Sequence, residues 1–536
     1  MRRMTPIYLG LMFALIPASW SVAGLVVRVE INVWQRRPIS RYIYGTNQPN
    51  WQRHGSLFTL TRWGGNRVTA YNWETNASNA GADWRHQNDS YLSASDVPGE
   101  PVRRLVSEAG AAGASVIVTV PILGLVAADK LGGGDVAATP DYLRKRFVPS
   151  LPRKDRTLAA SPDLLDRRVY QEEFVHWLET TFPNARRDAA RTIFYALDNE
   201  PGLWSSTHPR IHPEKTRYDE IALLNIEYAS AIKAVAPKSL VFGPVSYGWH
   251  GFQTLQDAPD GRQRNFIEFY LQQMRKAERK TGRRLLDVLD VHWYPAVQAG
   301  GERITGDEAR VDVAEARMQA PRSLWDPHYN EDSWIAKQSV RGPIRLLPRL
   351  REMIDKHYPG TRLAVSEYYY GGGDDISGAL AQADVLGIFG REGVFAAALW
   401  RLGKTDDRFI RAALAMFRNF DGQGGAFGDL GLAATTDDPE RTSVYASLDP
   451  LGRVVIVALN KSRSPLLVEM VLKHASPSTH AVVYQLTKAR PRPVRVRDML
   501  MAAGGRLRGE LPALSVSTLV LMRPKRPVTL PENALR

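Results

Sequence analysis

The sequence predicts an α/β fold, a (β/α)8 barrel accompanied by a β-sandwich domain. Between residues 42 and 400, short apolar runs alternate with amphipathic helical stretches, which indicates repeated βα units. Several runs are almost continuously apolar, as expected for parallel strands that helices cover on both faces. After residue 437 the strand-like runs follow one another without helices, a pattern typical of a β-sandwich.

Eight runs have the composition of barrel strands. They are Tyr42–Gly45, Leu57–Trp63, Ser115–Val120, Thr192–Leu197, Ser239–Phe242, Asp287–Trp293, Arg362–Glu367 and Val394–Trp400. The predicted helices between them include Arg167–Thr181, Tyr218–Val235, Asn265–Thr281, Gly342–His357 and Ser377–Arg391. Eight units of this size match a barrel with long loops. A doubly wound sheet is disfavoured, because Gly-Thr-Asn-Gln at residues 45–48 is no phosphate-binding turn.

The chain divides into four predicted parts. Residues 1–23 resemble a signal peptide, with Arg2 and Arg3 before a short apolar segment and Ser-Val-Ala at residues 21–23. Residues 24–40 are expected to form a strand that joins the sandwich, residues 41–436 the barrel, and residues 437–536 the sandwich. The predicted sandwich strands are Ser443–Leu448, Arg453–Leu459, Leu466–Leu472, His480–Leu486 and Ser515–Met522.

Composition limits the chemistry. The chain has no Cys, so disulfides, zinc–thiolate sites and Cys nucleophiles are excluded. Its formal charge of +14 could attract nucleic acid or an acidic polymer. However, the basic residues are dispersed among acidic ones and no nucleic-acid-binding motif is present, which favours a solvated basic surface.

Two glutamates follow the ends of predicted barrel strands. Asp198, Asn199, Glu200 and Pro201 follow strand four, and Glu367 ends strand seven. Because barrel enzymes carry their chemistry at the carboxyl ends of the strands, both side chains should lie at the barrel mouth. Glycosidic cleavage needs such a pair, one carboxyl protonated to donate to the leaving oxygen and the other ionised to attack the anomeric carbon.

Several motifs carry a family resemblance. Asn199-Glu200-Pro201 with Glu367 resembles the retaining (β/α)8 glycosidases. Longer stretches resemble glycoside hydrolase family 44, the endoglucanases and xyloglucanases; they are residues 61–67 (TRWGGNR), 71–81 (YNWETNASNAG), 197–204 (LDNEPGLW), 208–210 (HPR) and 375–378 (DISG). The resemblance implies that Glu200 is the acid/base, that Glu367 is the nucleophile, and that Asn199 binds the sugar hydroxyl beside the attacked carbon.

Other residues are candidates for substrate binding. The full set is Asn199, Arg62, Trp63, Asn66, Trp73, Glu74, His292, Tyr294, Trp204 and Trp400. Arg62 could pair with Glu367 and keep it ionised, and Trp400 could form an aromatic floor beneath the sugar. Each has a structural alternative, which is an ion pair for Arg62, core packing for His292, Tyr294 and the tryptophans, and a self-bonded turn for the polar loop at residues 66–79.

These residues predict a secreted retaining endo-β-1,4-glucanase that hydrolyses cellulose, xyloglucan or mixed-linkage glucan by double displacement. The alternative is a catalytically inactive carbohydrate-binding protein. The expected partner is the polysaccharide substrate, with no nucleic acid, no membrane once the signal is removed, and a monomeric state. No cofactor is expected to be required; a structural Ca²⁺ ion, the preferred glycan and the number of subsites stay open, as does the choice between an extracellular and a periplasmic location.

Overall fold

The protein is described here by a computed structural model that covers residues 26–522 except residues 186, 404, 405 and 503. The predicted signal peptide therefore lies outside the described residues. Eight strands pair side by side in parallel and close into a barrel. In chain order they are Gly45–Thr46, Leu60–Trp63, Ser115–Val120, Ile193–Leu197, Val241–Tyr247, Val288–Trp293, Arg362–Tyr368 and Ala396–Leu399. The fold is therefore the predicted (β/α)8 barrel.

Helices connect the barrel strands. The longer ones are Glu100–Ala111, Gln171–Thr181, Tyr218–Val235, Phe266–Thr281, Leu346–His357, Ile376–Glu392 and Arg408–Arg418, and shorter ones include Gly248–Thr254 and Val311–Gln319. Local capping explains several ends. Asn265 accepts a hydrogen bond from the backbone N–H of Glu268 at one helix start, and Gly393 takes a left-handed conformation at another helix end.

The barrel interior is a small apolar core. Side chains that point inward from successive strands fill it, including Leu60, Ile117, Phe194, Phe242 and Val288. The strand Ser115–Val120 is buried along its whole length, because helices cover its outer face. The first barrel strand is only two residues long, since Tyr42 and Ile43 of the predicted run belong to a 3₁₀ turn, Arg41–Ile43.

A second body, the β domain, has ten strands, nine of which follow the barrel in the chain. They are Val27–Pro38, Leu430–Thr436, Thr442–Leu448, Val454–Asn460, Leu466–Lys473, His480–Thr487, Arg490–Arg495, Met499–Ala502, Arg506–Leu511 and Ser515–Met522. The sheet closes on itself, because His480–Thr487 pairs with Ser515–Met522 as well as with its neighbours on the other side. Leu430–Thr436 precedes the expected boundary at residue 437 and belongs to this sheet.

The N-terminal strand links the two ends of the chain. Val27–Pro38 pairs parallel with Leu466–Lys473 and antiparallel with Leu430–Thr436. Its alternating apolar residues, Val27, Val29, Ile31 and Val33, enter the core of the β domain. Other residues of that domain, such as Val457 and Val516, share the main core with the barrel helices. Within residues 26–522, no described helix is long and apolar enough to cross a membrane.

Candidate active site

The turn after the fourth barrel strand fixes Glu200. The strand Ile193–Leu197 is fully buried, and both Asp198 and Glu200 then take left-handed backbone angles, with φ of 63° and 44°. The Asp198 carboxylate accepts hydrogen bonds from the backbone N–H of Ile122 over 2.6 Å and from the Thr69 hydroxyl over 2.7 Å. It also accepts one from the N–H of Asn199, so it anchors an unfavourable turn that L-residues seldom adopt.

The carboxyl group of Glu200 is nearly out of solvent. Its residue is 9% exposed, and burial raises its pKa to about 8, although the nearby Arg62 charge acts in the opposite direction. The ring nitrogen Nδ1 of His292 lies 2.7 Å from Oε1 of Glu200. The carboxyl group is therefore protonated at neutral pH and has one fixed polar neighbour.

Glu367 stands near the end of the seventh barrel strand in different surroundings. It is 6% exposed. Arg62 Nη1 donates to Glu367 Oε1 over 2.7 Å, and the Tyr294 hydroxyl donates to Oε2 over 2.8 Å. Both contacts are strengthened when the acceptor carries negative charge, so this pocket favours a carboxylate.

Arg62 and Asn199 link Glu367, on the seventh barrel strand, to the turn that carries Glu200, after the fourth strand. Arg62 is 2% exposed, and its second terminal nitrogen donates to Oδ1 of Asn199 over 2.7 Å. The Asn199 amide nitrogen then donates to Oδ1 of Asn66 over 3.2 Å. Gly64 lies against this guanidinium, because an added Cβ would come within 2.4 Å of its central carbon. One buried arginine thus orients the carboxylate on one strand and the amide beside Glu200 on another.

His292 lies between the two glutamates. Its Nδ1 atom is 3.5 Å from Oε2 of Glu367, and its Nε2 atom is 3.2 Å from the Ser366 hydroxyl. Burial lowers the pKa of His292 to about 4, although Glu367 favours the charged form, so the ring is neutral above about pH 5. One ligand atom from each of Glu200, His292 and Glu367 lies within 4.8 Å of the others, and among the described residues this is the one such group of three His, Asp or Glu side chains.

A long cleft opens above these groups. Its volume is about 920 Å³, and Asn199, Glu200 and Glu367 lie in its wall. The other lining residues are Gln48, Gly64, Gly65, Asn66, Arg67, Asp83, Trp84, Gln87, Asp89, Tyr91, Leu92, Tyr247, Tyr294, Arg303, Trp400 and Leu402. Gly65 has φ of 93°, and a Cβ there would come within 2.6 Å of the Trp400 ring. Glycine at this position therefore lets the loop approach the indole closely.

Comparisons with known proteins agree with this architecture. Residues 77–297 match the family model for glycoside hydrolase family 44. A xyloglucanase of this family from Paenibacillus polymyxa, solved with xyloglucan, is 38% identical, and the match covers 93% of this chain and 100% of that one with a TM-score of 0.88. The chain belongs to glycoside hydrolase family 44.

Other family 44 relatives extend the match. An endoglucanase structure from Clostridium thermocellum is 38% identical, with a TM-score of 0.87 over 92% of this chain and 99% of that one. Endoglucanase A from Paenibacillus lautus is 42% identical over 471 residues, which is 83% of this chain. The chain spans 65% of the length of that curated relative.

The family 44 cleft contains part of the predicted binding set. Asn66, Asn199, Tyr294 and Trp400 line it. Arg62 and His292 are outside its lining, at 2% and 0% exposure, and contact the glutamates from behind. The predicted pairing of Arg62 with Glu367 is therefore confirmed, and His292 contacts both glutamates instead of lining the cleft.

Four other predicted binding residues are away from the cleft wall. Trp73 is 1% exposed and packs against Phe174 and Trp177, and Trp204 is fully buried beside His212. Trp63 packs edge-on against Tyr71. Glu74 is 4% exposed, and burial raises its pKa to about 8 with further contributions from Asp166 and Glu173. None of the four lines the cleft, because Trp73, Trp204 and Glu74 are buried and Trp63 packs against Tyr71.

The cleft also has wall residues that the predicted set omits. Trp84 and Tyr91 are the most prominent, at 53% and 74% exposure. Two further tryptophans, Trp249 and Trp334, line a smaller adjoining cavity of about 200 Å³. That cavity shares Tyr247, Tyr294 and Arg303 with the cleft. Tyr91 had no sequence signal beyond its place in a long polar loop.

Proposed function

We propose that the protein is a secreted retaining endo-β-1,4-glucanase that hydrolyses β-linked plant polysaccharide by double displacement. The observation that carries the proposal is the pair Glu200 and Glu367 in the wall of an open cleft. An oxygen of one carboxyl group lies within 4.8 Å of an oxygen of the other. This supports retention, since retaining pairs stand about 5–5.5 Å apart and inverting pairs about 6.5–9.5 Å apart.

In the first step Glu200 acts as the general acid and Glu367 as the nucleophile. Glu200, protonated up to about pH 8, gives its proton to the glycosidic oxygen as the bond to the anomeric carbon breaks. Glu367 attacks the same carbon from the opposite face and forms a glycosyl ester. The proton leaves with the released sugar, and Glu200 remains as a carboxylate.

The second step returns the enzyme to its starting state. Glu200 now takes a proton from water, and the resulting hydroxide equivalent attacks the anomeric carbon and releases Glu367. The neutral His292 ring serves both states, because its Nδ1 atom can accept from the protonated carboxyl or, as the other tautomer, donate to the carboxylate. Ser366 on the other ring nitrogen can act as donor or acceptor in turn.

Tyr294 and Arg62 support the nucleophile. Burial and the neighbouring Glu367 hold the pKa of Tyr294 well above its usual value, so its hydroxyl keeps the proton that it donates to the carboxylate. The hydrogen bonds from Arg62 and Tyr294 weaken as Glu367 loses its negative charge on forming the ester. The two donors therefore stabilise the free carboxylate relative to the ester.

The open cleft suits a polymer that is cut within its chain. Trp84, Trp400 and Tyr91 offer aromatic faces, and Asn66, Asp83 and Gln87 offer hydrogen-bonding groups. The family 44 relatives named above are endoglucanases and a xyloglucanase. We propose cellulose, xyloglucan or mixed-linkage glucan as substrate, a monomeric state, no required cofactor, and export by the predicted signal peptide to the periplasm or the medium.

The test is turnover on a panel of soluble glucans, xyloglucan, mannan and xylan. Fast release of reducing ends with a sharp early fall in viscosity is expected for one or more β-1,4-glucans, with the new chain end first appearing as the β anomer by NMR. Glu200→Gln and Glu367→Gln are matched controls, because each keeps the side-chain shape and removes the carboxyl group. A wild-type protein that binds these glucans but releases no reducing ends would be a carbohydrate-binding protein instead.

A further inference from the structure

The β domain presents an ordered aromatic ring to solvent. Trp34 is 70% exposed, yet its ring is stacked on that of His474 with centroids 3.6 Å apart and an interplanar angle of 5°. The stack fixes the indole in one orientation and covers one face. The second face has no ring contact among the described residues, so a preformed flat apolar surface is open to a ligand.

A row of polar side chains leads away from this ring. Along Val27–Pro38 the buried and exposed residues alternate, so Arg28, Glu30, Asn32 and Trp34 share the face opposite the core. Asn32 is in register with Lys473, and the Lys473 ammonium lies 2.6 Å from Oε1 of Glu30. Arg508 pairs with Glu469 farther along the same face. The row is rich in hydrogen-bonding groups, and its carboxylates Glu30 and Glu469 are each paired with a basic side chain.

A groove begins at the residue after Trp34. Its volume is about 500 Å³, and its polar lining includes Gln35, Arg36, Arg37, Thr435 and Glu392. Arg36 and Arg37 already donate to the backbone oxygens of Val33 and Arg391, which orients their guanidinium groups. The groove shares no lining residue with the catalytic cleft. Gln35, the next residue after Trp34, thus connects the ring and the polar row to the groove along the chain.

We propose that this surface, named the Trp34 platform and comprising Trp34, His474, Asn32, Glu30, Lys473 and the groove, binds a neutral β-glucan chain. The inference rests on the proposed function, which supplies a polymer that the protein must hold while it cuts. A fixed indole face matches the apolar face of a pyranose ring. The ion-paired side chains of the row, Glu30 with Lys473 and Glu469 with Arg508, offer hydrogen bonds to the hydroxyl groups of a sugar chain. The platform would keep the enzyme on the polymer between cuts.

The test is native gel electrophoresis in the presence of hydroxyethylcellulose, with every variant carried in a Glu367→Gln background so that the polymer stays intact. Trp34→Ala is expected to raise the dissociation constant roughly three- to tenfold, and His474→Ala is expected to raise it less because the indole loses only its support. Leu500→Ala is the matched control, because Leu500 is 72% exposed on another strand of the same sheet. It should migrate like the parent.

Activity separates the platform from the cleft. In the wild-type background, Trp34→Ala should keep its rate on a short aryl cello-oligosaccharide and lose rate on cellulose at low polymer concentration. Retardation of Trp34→Ala equal to that of the parent would overturn the proposal. So would a Trp34-dependent retardation on polygalacturonate with none on the neutral glucan, which would indicate a polyanion site. If the wild type cuts none of the glucans, the proposed function fails, while the gel still tests the platform by itself.

Discussion

On the fourth-strand side of the catalytic centre, Glu200 has burial and one neutral imidazole; on the seventh-strand side, Glu367 has a guanidinium and a phenol. The two residues are of the same type and almost equally buried, at 9% and 6% exposure. Their roles therefore depend on partners. Burial without a directly bonded cation keeps a proton on Glu200, whereas two donors, one of them charged, suit Glu367 to carry negative charge.

The largest expected effect comes from the seventh-strand side. Glu367→Ala removes the atom that forms the glycosyl ester, so turnover should fall by roughly 10⁴- to 10⁶-fold. Added azide should restore part of the activity on an activated aryl glycoside, and NMR should identify the product as a glycosyl azide of inverted configuration. Near-normal turnover by a folded Glu367→Ala protein would place the nucleophile elsewhere.

The fourth-strand side should give a smaller and more selective loss. Glu200→Gln cannot donate a proton, so turnover of polysaccharide should fall roughly 10²- to 10⁴-fold, while substrates with activated leaving groups still form the intermediate. The wild type should lose activity as pH rises through about 8, because Glu200 then gives up its proton. This alkaline limb should be absent from the pH profile of Glu200→Gln; a limb that persists there would belong to another group.

The centre could be predicted from the sequence because barrel geometry constrains it. Any side chain at the carboxyl end of a barrel strand points to the mouth, so Glu200, Glu367 and Arg62 could be brought together from strand order alone. The eight strands were predictable for the same reason, as repeated apolar runs. The first strand was misplaced by a few residues, because a run as short as Gly45–Thr46 leaves almost no periodic signal.

The cleft wall was predicted less well, since it is built from loops. Trp73 and Trp204 look like Trp84 in sequence, yet the first two are 1% and 0% exposed and the third is 53% exposed. Loop tryptophans have no alternation that separates an inward ring from an outward one. What distinguishes them is tertiary packing, such as the Phe174 and Trp177 rings from a helix almost a hundred residues farther along the chain.

A third effect concerns how the fourth-strand side is held. Asp198→Asn replaces an acceptor of three hydrogen bonds with an amide that must point a donor toward other donors. The turn that carries Glu200 should shift, and kcat should fall roughly tenfold to a hundredfold with KM less affected. Asp260→Asn is the matched control, because Asp260 is also buried and anchors the backbone of Tyr218 and Asp219. An equal loss of kcat in both variants would point to general destabilisation.

The last expected effect is on thermal stability, and its sign differs between the Glu200 and Glu367 variants. Burial raises the pKa of Glu200 from 4.5 to about 8 in the folded protein, so between these values the unfolded chain releases a proton that the folded chain keeps. The stability that Glu200 contributes is thus complete below about pH 4.5 and is lost as pH rises through 8. Relative to the wild type, Glu200→Gln should therefore gain melting temperature between pH 5 and pH 9, by roughly a few degrees.

Glu367→Gln should instead be less stable than the wild type at both pH values, on the order of 3 kcal/mol, because Arg62 is left buried without its carboxylate. Calorimetry of both variants at pH 5 and pH 9 makes the comparison, and parallel shifts in the two proteins would show that their surroundings do not differ in the way described.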